Sequence, residues 1–211
     1  MENENNNKTK RAILDAAIVL FHSNGFDGTS IRDIAHKAKI NPANIAYYFK
    51  NKNGLLEYCF VNYLEKYTEI IEHEVERIDQ EAPDNCLKNI VVKLLEFQGQ
   101  QFNAARFITR EMSLDTTLNR EILSTYMAKE RYYLQYVVEQ GIQSQLFRKV
   151  HIPSFILQLK GLLTAPLLHT HYAVELLQII PQESYYIEQY KQQCIEFITH
   201  HLLYSHLEVT L

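Results

Sequence analysis

The chain has 211 residues, enough for one large domain or a small and a medium one, and its 46% hydrophobic content can fill a core. With only 6 Gly and 5 Pro, it lacks the breakers that a many-turned sheet needs, so long helices are expected. Three cysteines, Cys59, Cys86 and Cys194, are odd in number and far apart, which argues against a disulfide framework or a zinc site and for buried free thiols.

The start, Met1 to Asn7, is rich in Glu and Asn, and residues 1–8 read as a disordered N-terminus. It has no apolar stretch of the kind that opens a secretory leader. No run approaches the ~20 apolar residues of a membrane helix. The expectation is a cytoplasmic protein.

Residues 9–24 predict a helix: Ile13, Ala16, Ala17, Leu20 and Phe21 repeat at i, i+3, i+4, i+7, i+8. Gly25 suits the left-handed position that ends it, with Phe26 packing back. Ser30 and Asp33 form a capping-box pattern ahead of a short helix with Ile31, Ile34, Ala35 and Ala38 inward. Asn41-Pro42 restarts a helix over about 42–48, Asn as N-cap and Pro at the first helical position, with Ile45 inward and Phe49 closing it. Two short helices joined by a tight turn behind a longer one are the pattern of a helix-turn-helix.

The rest reads as helices over 52–78, 84–99 (capped by Asp84), 101–113, 117–144 (capped near Asp115-Thr116), 153–169 (with Pro166 kinking or ending it) and 183–205. A loop-like stretch lies around Pro181. The fold class is therefore all-α, divided into 1–8, a 9–52 helix-turn-helix unit and a 53–211 helical remainder, for which the family resemblance given below implies DNA binding and dimerisation or regulation respectively.

Charge is unevenly distributed. Residues 8–52 hold eight Lys or Arg against three Asp, a balance of +5 in a chain whose formal net charge is −4. A basic head on an acidic remainder fits a nucleic-acid partner for the head alone.

Ile13-Leu14-Asp15-Ala16-Ala17, Leu20-Phe21, Gly25-Phe26, Gly28-Thr29-Ser30, Ile31-Arg32-Asp33-Ile34-Ala35, Ala38-Lys39-Ile40-Asn41, Tyr47-Tyr48-Phe49 and Lys52 with Leu55-Leu56 stand in register with the TetR family. The stretch from Ala12 to Leu56 closely resembles the N-terminal domain of that family. Lys39 departs from its usual turn Gly, and Ala43 and Ala46 stand where Gly and Tyr are common. Phe107-Ile108-Thr109-Arg110-Glu111, Arg120-Glu121-Ile122-Leu123-Ser124-Thr125-Tyr126 and Phe155-Ile156-Leu157-Gln158-Leu159-Lys160 resemble the RefZ branch of spore-forming bacilli.

The resemblance implies a nucleoid-associated homodimer that binds palindromic double-stranded DNA. Its RefZ-like part implies a second role in sporulating cells, restraint of division through the protein FtsZ. An alternative is a ligand-responsive repressor with an effector pocket among the helices of 84–169.

DNA-binding candidates are Thr29, Ser30, Asn41, Ala43, Asn44, Tyr47, Tyr48 and Lys52. Thr29 would offer a hydroxyl and nearby N–H groups to a phosphate, against plain helix capping. Asn44 could pair with adenine, against an exposed polar residue. Tyr47 and Tyr48 would give phosphate contacts, unless one is half-buried, and Lys52 would give another, against simple solvation.

Arg106 and Arg110 stand four apart, a like-charge spacing that costs a few tenths of a kcal/mol. Either Glu111 or Asp115 neutralises them, or with Arg120 they form a partner-binding patch. Phe155, Leu159, Leu162, Leu163, Ile187, Tyr190, Cys194 and Ile198 are the expected dimer interface, against a monomeric core. His169 with His171, and His200 with His201, do not converge on one helical face, so neither a metal nor a cofactor is expected. No nucleophile elbow or Gly-rich loop suggests an enzyme.

Overall fold

A computed structural model describes residues 2–114 and 116–203, except the side chains of 2–5 and 123. Asp115, one of the expected caps and counter-charges, and the end of the last expected helix at 205 lie outside them. The described residues are helical throughout: α1 Glu2–Asn24, α2 Ile31–Ala38, α3 Pro42–Phe49, α4 Lys52–Val75, α5 Pro83–Gln100, α6 Phe102–Glu111, α7 Thr117–Gln143, α8 Ile152–Leu168, α9 Thr170–Glu175 and α10 Ser184–Leu202. No helix among them is long and apolar enough to cross a membrane.

The packing divides the chain into two units: Met1–Leu64 with Asn103–Ile122, and Glu65–Phe102 with Leu123–Leu211. The expected boundary at residue 52 is thus displaced, and α6 joins the N-terminal unit. The reason is aromatic packing. Phe107 of α6 lies with its ring centroid 5.3 Å from that of Phe21 and 6.5 Å from that of Phe60. All three side chains are fully buried.

In this first unit α1 begins at Glu2 rather than at residue 9, so residues 2–8 of the start expected to be disordered are helical. Extending an existing helix backwards is far easier than nucleating one, so even an Asn-rich stretch follows. Gly25 ends α1 at φ 77° and Phe26 folds back to 5.3 Å from Phe21. Ile13, Ala17, Phe21, Ile34, Ala35, Ile45 and Phe49 form the core.

In the second unit α5, α8 and α10 bury Leu87, Ile90, Leu94, Phe155, Leu159, Leu163 and Ile198. Asp84 is not the cap of α5. Pro83 takes the first helical position, which leaves Ala82 as N-cap without a side-chain bond and puts Asp84 in the first turn, paired with Lys88 at 3.0 Å. Pro166 neither ends nor breaks α8, which runs two residues further. The short α9 was not expected from the sequence. The three thiols are buried and free, and burial pushes Cys59 and Cys86 up to about 12 and Cys194 to about 11. The His201 ring stacks on Phe155 and Phe197.

Candidate nucleic-acid interface

The turn between α2 and α3 explains why two helices can meet so tightly. Ser30 caps α2 reciprocally: its Oγ accepts from the Asp33 N–H at 3.2 Å, and the Asp33 carboxylate accepts from the Ser30 N–H at 3.0 Å. The Ser30 hydroxyl, then its N–H, holds the Asp33 carboxyl below its ordinary range. At the far end the Lys39 N–H reaches the His36 carbonyl and the Ile40 N–H the Ala35 carbonyl. That pairing requires a left-handed residue, and Lys39 adopts it at φ 55° without being glycine. Asn41 then caps α3, its Oδ1 accepting from the Ala43 N–H at 2.9 Å, with Pro42 in the first turn.

With its inner side anchored by Ile45 and Phe49, α3 presents Ala43, Ala46 and Tyr47 to solvent and Asn44 at the margin. Tyr47 is 78% exposed. Neither its hydroxyl nor the Asn44 amide side chain has a partner among the described residues. Arg32, Lys37, Lys39 and Lys50 are exposed nearby in the chain, and none forms an ion pair among the described residues. An uncommitted amide, a phenol and two methyls inside a cationic rim supply the groups that read base edges and the charges that hold phosphates.

Five of the expected DNA-binding residues are otherwise engaged. Thr29 is not presented to a phosphate. It is 1% exposed, and its hydroxyl donates to the carbonyls of Gly25 at 2.8 Å and Leu20 at 3.2 Å, tying the loop to α1. The Ser30 side chain and the Asn41 Oδ1 are engaged in capping. Tyr48 is half-buried, its hydroxyl donating to Asn6 Oδ1 at 2.5 Å.

The Lys52 ammonium is engaged too. It donates to the carbonyls of Phe26 at 3.0 Å and Thr29 at 3.1 Å and sits 4.3 Å from the centre of the Phe26 ring. It is a latch between α4 and the α1–α2 loop. Nothing in the local sequence marks this role, because both acceptors are backbone atoms more than twenty residues away. Lys52→Met should therefore cost about 1.5–3 kcal/mol of stability in urea unfolding, the range for hydrogen bonds to a charged group. A stability within about 0.5 kcal/mol of the parent would mean that the latch carries no weight.

Arg106 and Arg110 share a face of α6. Arg106 is half-buried and reaches His22 Nε2 at 3.3 Å, whereas Arg110 is exposed with a loose approach to Glu111 at 3.9 Å. Burial, then Arg106 and Arg110, holds His22 below its ordinary pKa. Arg120 is exposed on α7. In the second unit the expected dimer residues Phe155, Leu159, Leu163, Cys194 and Ile198 are instead protomer core, each at most 1% exposed. Leu162, Ile187 and Tyr190 are half-buried, and the Tyr190 hydroxyl donates to the Leu162 carbonyl at 2.8 Å. What α8 offers outward is Leu157 at 73% exposure, Leu168 at 46% and, between them, Gly161 with open space over it.

Residues 13–59 match the family of bacterial regulatory proteins named for TetR. The chain is also 38% identical over 185 residues, covering 88% of it and 89% of the relative, to the "Probable HTH-type transcriptional regulator YttP" of Bacillus subtilis (strain 168). The chain belongs to the TetR family. This TetR-family regulator also shares its fold with the ketosteroid transcriptional regulator KstR2 of Mycobacterium tuberculosis, at a TM-score of 0.75, 16% identity and 93% and 95% coverage of the two chains. It likewise resembles AibR, solved in complex with isovaleryl coenzyme A and operator DNA, at a TM-score of 0.71, 19% identity and 90% and 97% coverage. The matched stretch of this TetR-family protein runs from within α1 to the first turns of α4 and contains α2 and α3.

Proposed function

We propose that this regulator acts as a homodimer that reads a palindromic DNA site through Ala43, Asn44, Ala46 and Tyr47 of α3. The observation that carries the reading is that uncommitted face amid exposed, unpaired cations. One helix-turn-helix holds DNA weakly, and two set about 34–36 Å apart engage successive major grooves. The outward side of α8, with Leu157, Gly161 and Leu168, is the self-contact proposed in place of the buried residues. AibR, which shares this fold, was solved with operator DNA.

Within that reading, the resemblance to the RefZ branch supports a role in restraining division through FtsZ, with Arg106, Arg110 and Arg120 as the partner surface, Arg110 and Arg120 exposed and Arg106 half-buried. The competing reading is a ligand-responsive repressor. Its effector would enter among the helices of 84–169; an apolar cavity in the second unit, lined by Leu95, Gln98, Gly99, Pro166, Tyr186 and Tyr190, measures about 20 Å3.

Mapping bound sites across the host chromosome tests both. A few palindromic sites placed by position, with little transcriptional change on deletion, support division coupling. Sites across promoters whose genes respond on deletion support the repressor. Asn44→Ala should cost about 1–3 kcal/mol at the enriched site and little at a scrambled duplex. Equal losses on both would remove Asn44 from sequence reading. Arg110→Glu should leave DNA binding intact and abolish the cellular effect, and an unchanged cellular effect would remove the partner surface.

A further inference from the structure

Helix α1 continues about three turns beyond the part of it that packs into the first unit's core, and the extension is attached to the reading helix. The Tyr48 hydroxyl of α3 donates to Asn6 Oδ1 at 2.5 Å, and the Lys10 ammonium stands 5.6 Å from the centre of the Tyr48 ring. Asn6 and Lys10 are one turn apart, so they lie on the same side of α1, in line with buried Ile13 and Ala17. Tyr48 in turn lies edge-on to exposed Tyr47 at 5.0 Å. Arg11, beside Lys10, is exposed. Neither cation has a carboxylate partner among the described residues.

From this arrangement we infer that the N-terminal turns of α1 are part of the DNA interface: Lys10 and Arg11 bind phosphates flanking the bases that α3 reads, and Asn6 with Tyr48 is the bracket that aligns them. The inference rests on the DNA-binding reading proposed above. Its chemistry is counter-ion release. Each phosphate neutralised by a cation adds about 0.9 to the slope of log affinity against log salt, whereas a neutral phenol bound to a phosphate adds none. Tyr48 is then a positioning residue whose own hydroxyl stays on Asn6, and base preference remains with Asn44 and its neighbours.

The test uses the full-length protein, a duplex carrying the site enriched in chromosomal mapping, and a scrambled duplex of equal length. Binding is titrated at several salt concentrations. Lys10→Gln and Arg11→Gln should each lower the salt slope by about 0.9 and weaken both duplexes alike, and Lys10→Arg should restore it. Tyr48→Phe and Asn6→Ala should each weaken binding about three- to tenfold and lower the slope, and the double variant should be no weaker than either alone. All these sites are at or near the surface, and unchanged thermal unfolding is the control for folding.

If Tyr48→Phe weakens binding with an unchanged slope while Asn6→Ala has no effect or tightens it, the hydroxyl meets a phosphate directly and the bracket is wrong. Unchanged slopes in both Gln variants would overturn the phosphate contacts. A parent protein that prefers neither duplex and shows no salt dependence overturns the DNA reading itself, and Asn44→Ala separates the cases: if it loses site preference while the α1 variants bind as the parent does, only the α1 inference fails.

Discussion

Phe107→Ala is expected to destabilise the protein by about 3–5 kcal/mol, the range for deleting a fully buried aromatic ring. The ring is 0% exposed, lies between Phe21 and Phe60, and has fully buried Ala105 and near-fully buried Ile108 beside it on α6. Urea unfolding reads the loss directly. DNA affinity should fall in parallel at temperatures near the transition, because α1 carries Phe21 and the first half of α4 carries both Phe60 and the Lys52 latch on the α1–α2 loop. Phe107→Leu keeps most of the volume and should cost under about 1.5 kcal/mol. A loss below about 1 kcal/mol for the Ala variant would mean that α6 does not stabilise the N-terminal unit, and the displaced boundary would have to be withdrawn.

Lys160→Met should cost about 3 kcal/mol for a different reason. Glu130 is 5% exposed and accepts from the Tyr67 hydroxyl at 2.7 Å and from the Lys160 ammonium at 2.8 and 2.7 Å through its two oxygens. The ammonium is also 5.3 Å from the centre of the Tyr67 ring. Removing the cation leaves a carboxylate in the interior with a single hydroxyl for company, and an uncompensated buried charge costs more than the pair contributes. The companion Lys160→Met/Glu130→Leu should recover most of the loss. Equal losses in the single and double variants would show that packing of the lysine stem, not charge, is what matters there.

Most of the helices were legible because their signals are local. The stripe from Ile13 to Phe21, the Ser30–Asp33 box, the Asn41-Pro42 start and Gly25 at the end of α1 each involve residues within a turn or two of one another, and backbone geometry acts on them directly. The left-handed Lys39 was legible too, because the turn needs that conformation whatever residue occupies it. The α1 start was misjudged because Asn6 gains its partner from Tyr48, 42 residues on.

The functional residues divide in the same way. The composition and register of residues 12–56 were enough to locate a helix-turn-helix and to expect Tyr47 on the outward side of its second helix, since which side of a short helix faces outward follows from its 3.6-residue period. The internal partners of Thr29 and Lys52 were not readable, because a hydroxyl or an ammonium looks the same in sequence whether it meets a phosphate or a carbonyl of its own chain, whereas half-burial of one of Tyr47 and Tyr48 was among the expected outcomes and falls on Tyr48. Five of the eight dimer candidates lie in the protomer core for a related reason. An apolar stripe records that a helix face avoids water, and burial against α5 within one protomer satisfies Phe155, Leu159 and Ile198 as fully as a second copy would. Local periodicity thus set the helices and their inward faces, whereas which partner each inward face and each polar tip meets was set by contacts between residues distant in the chain.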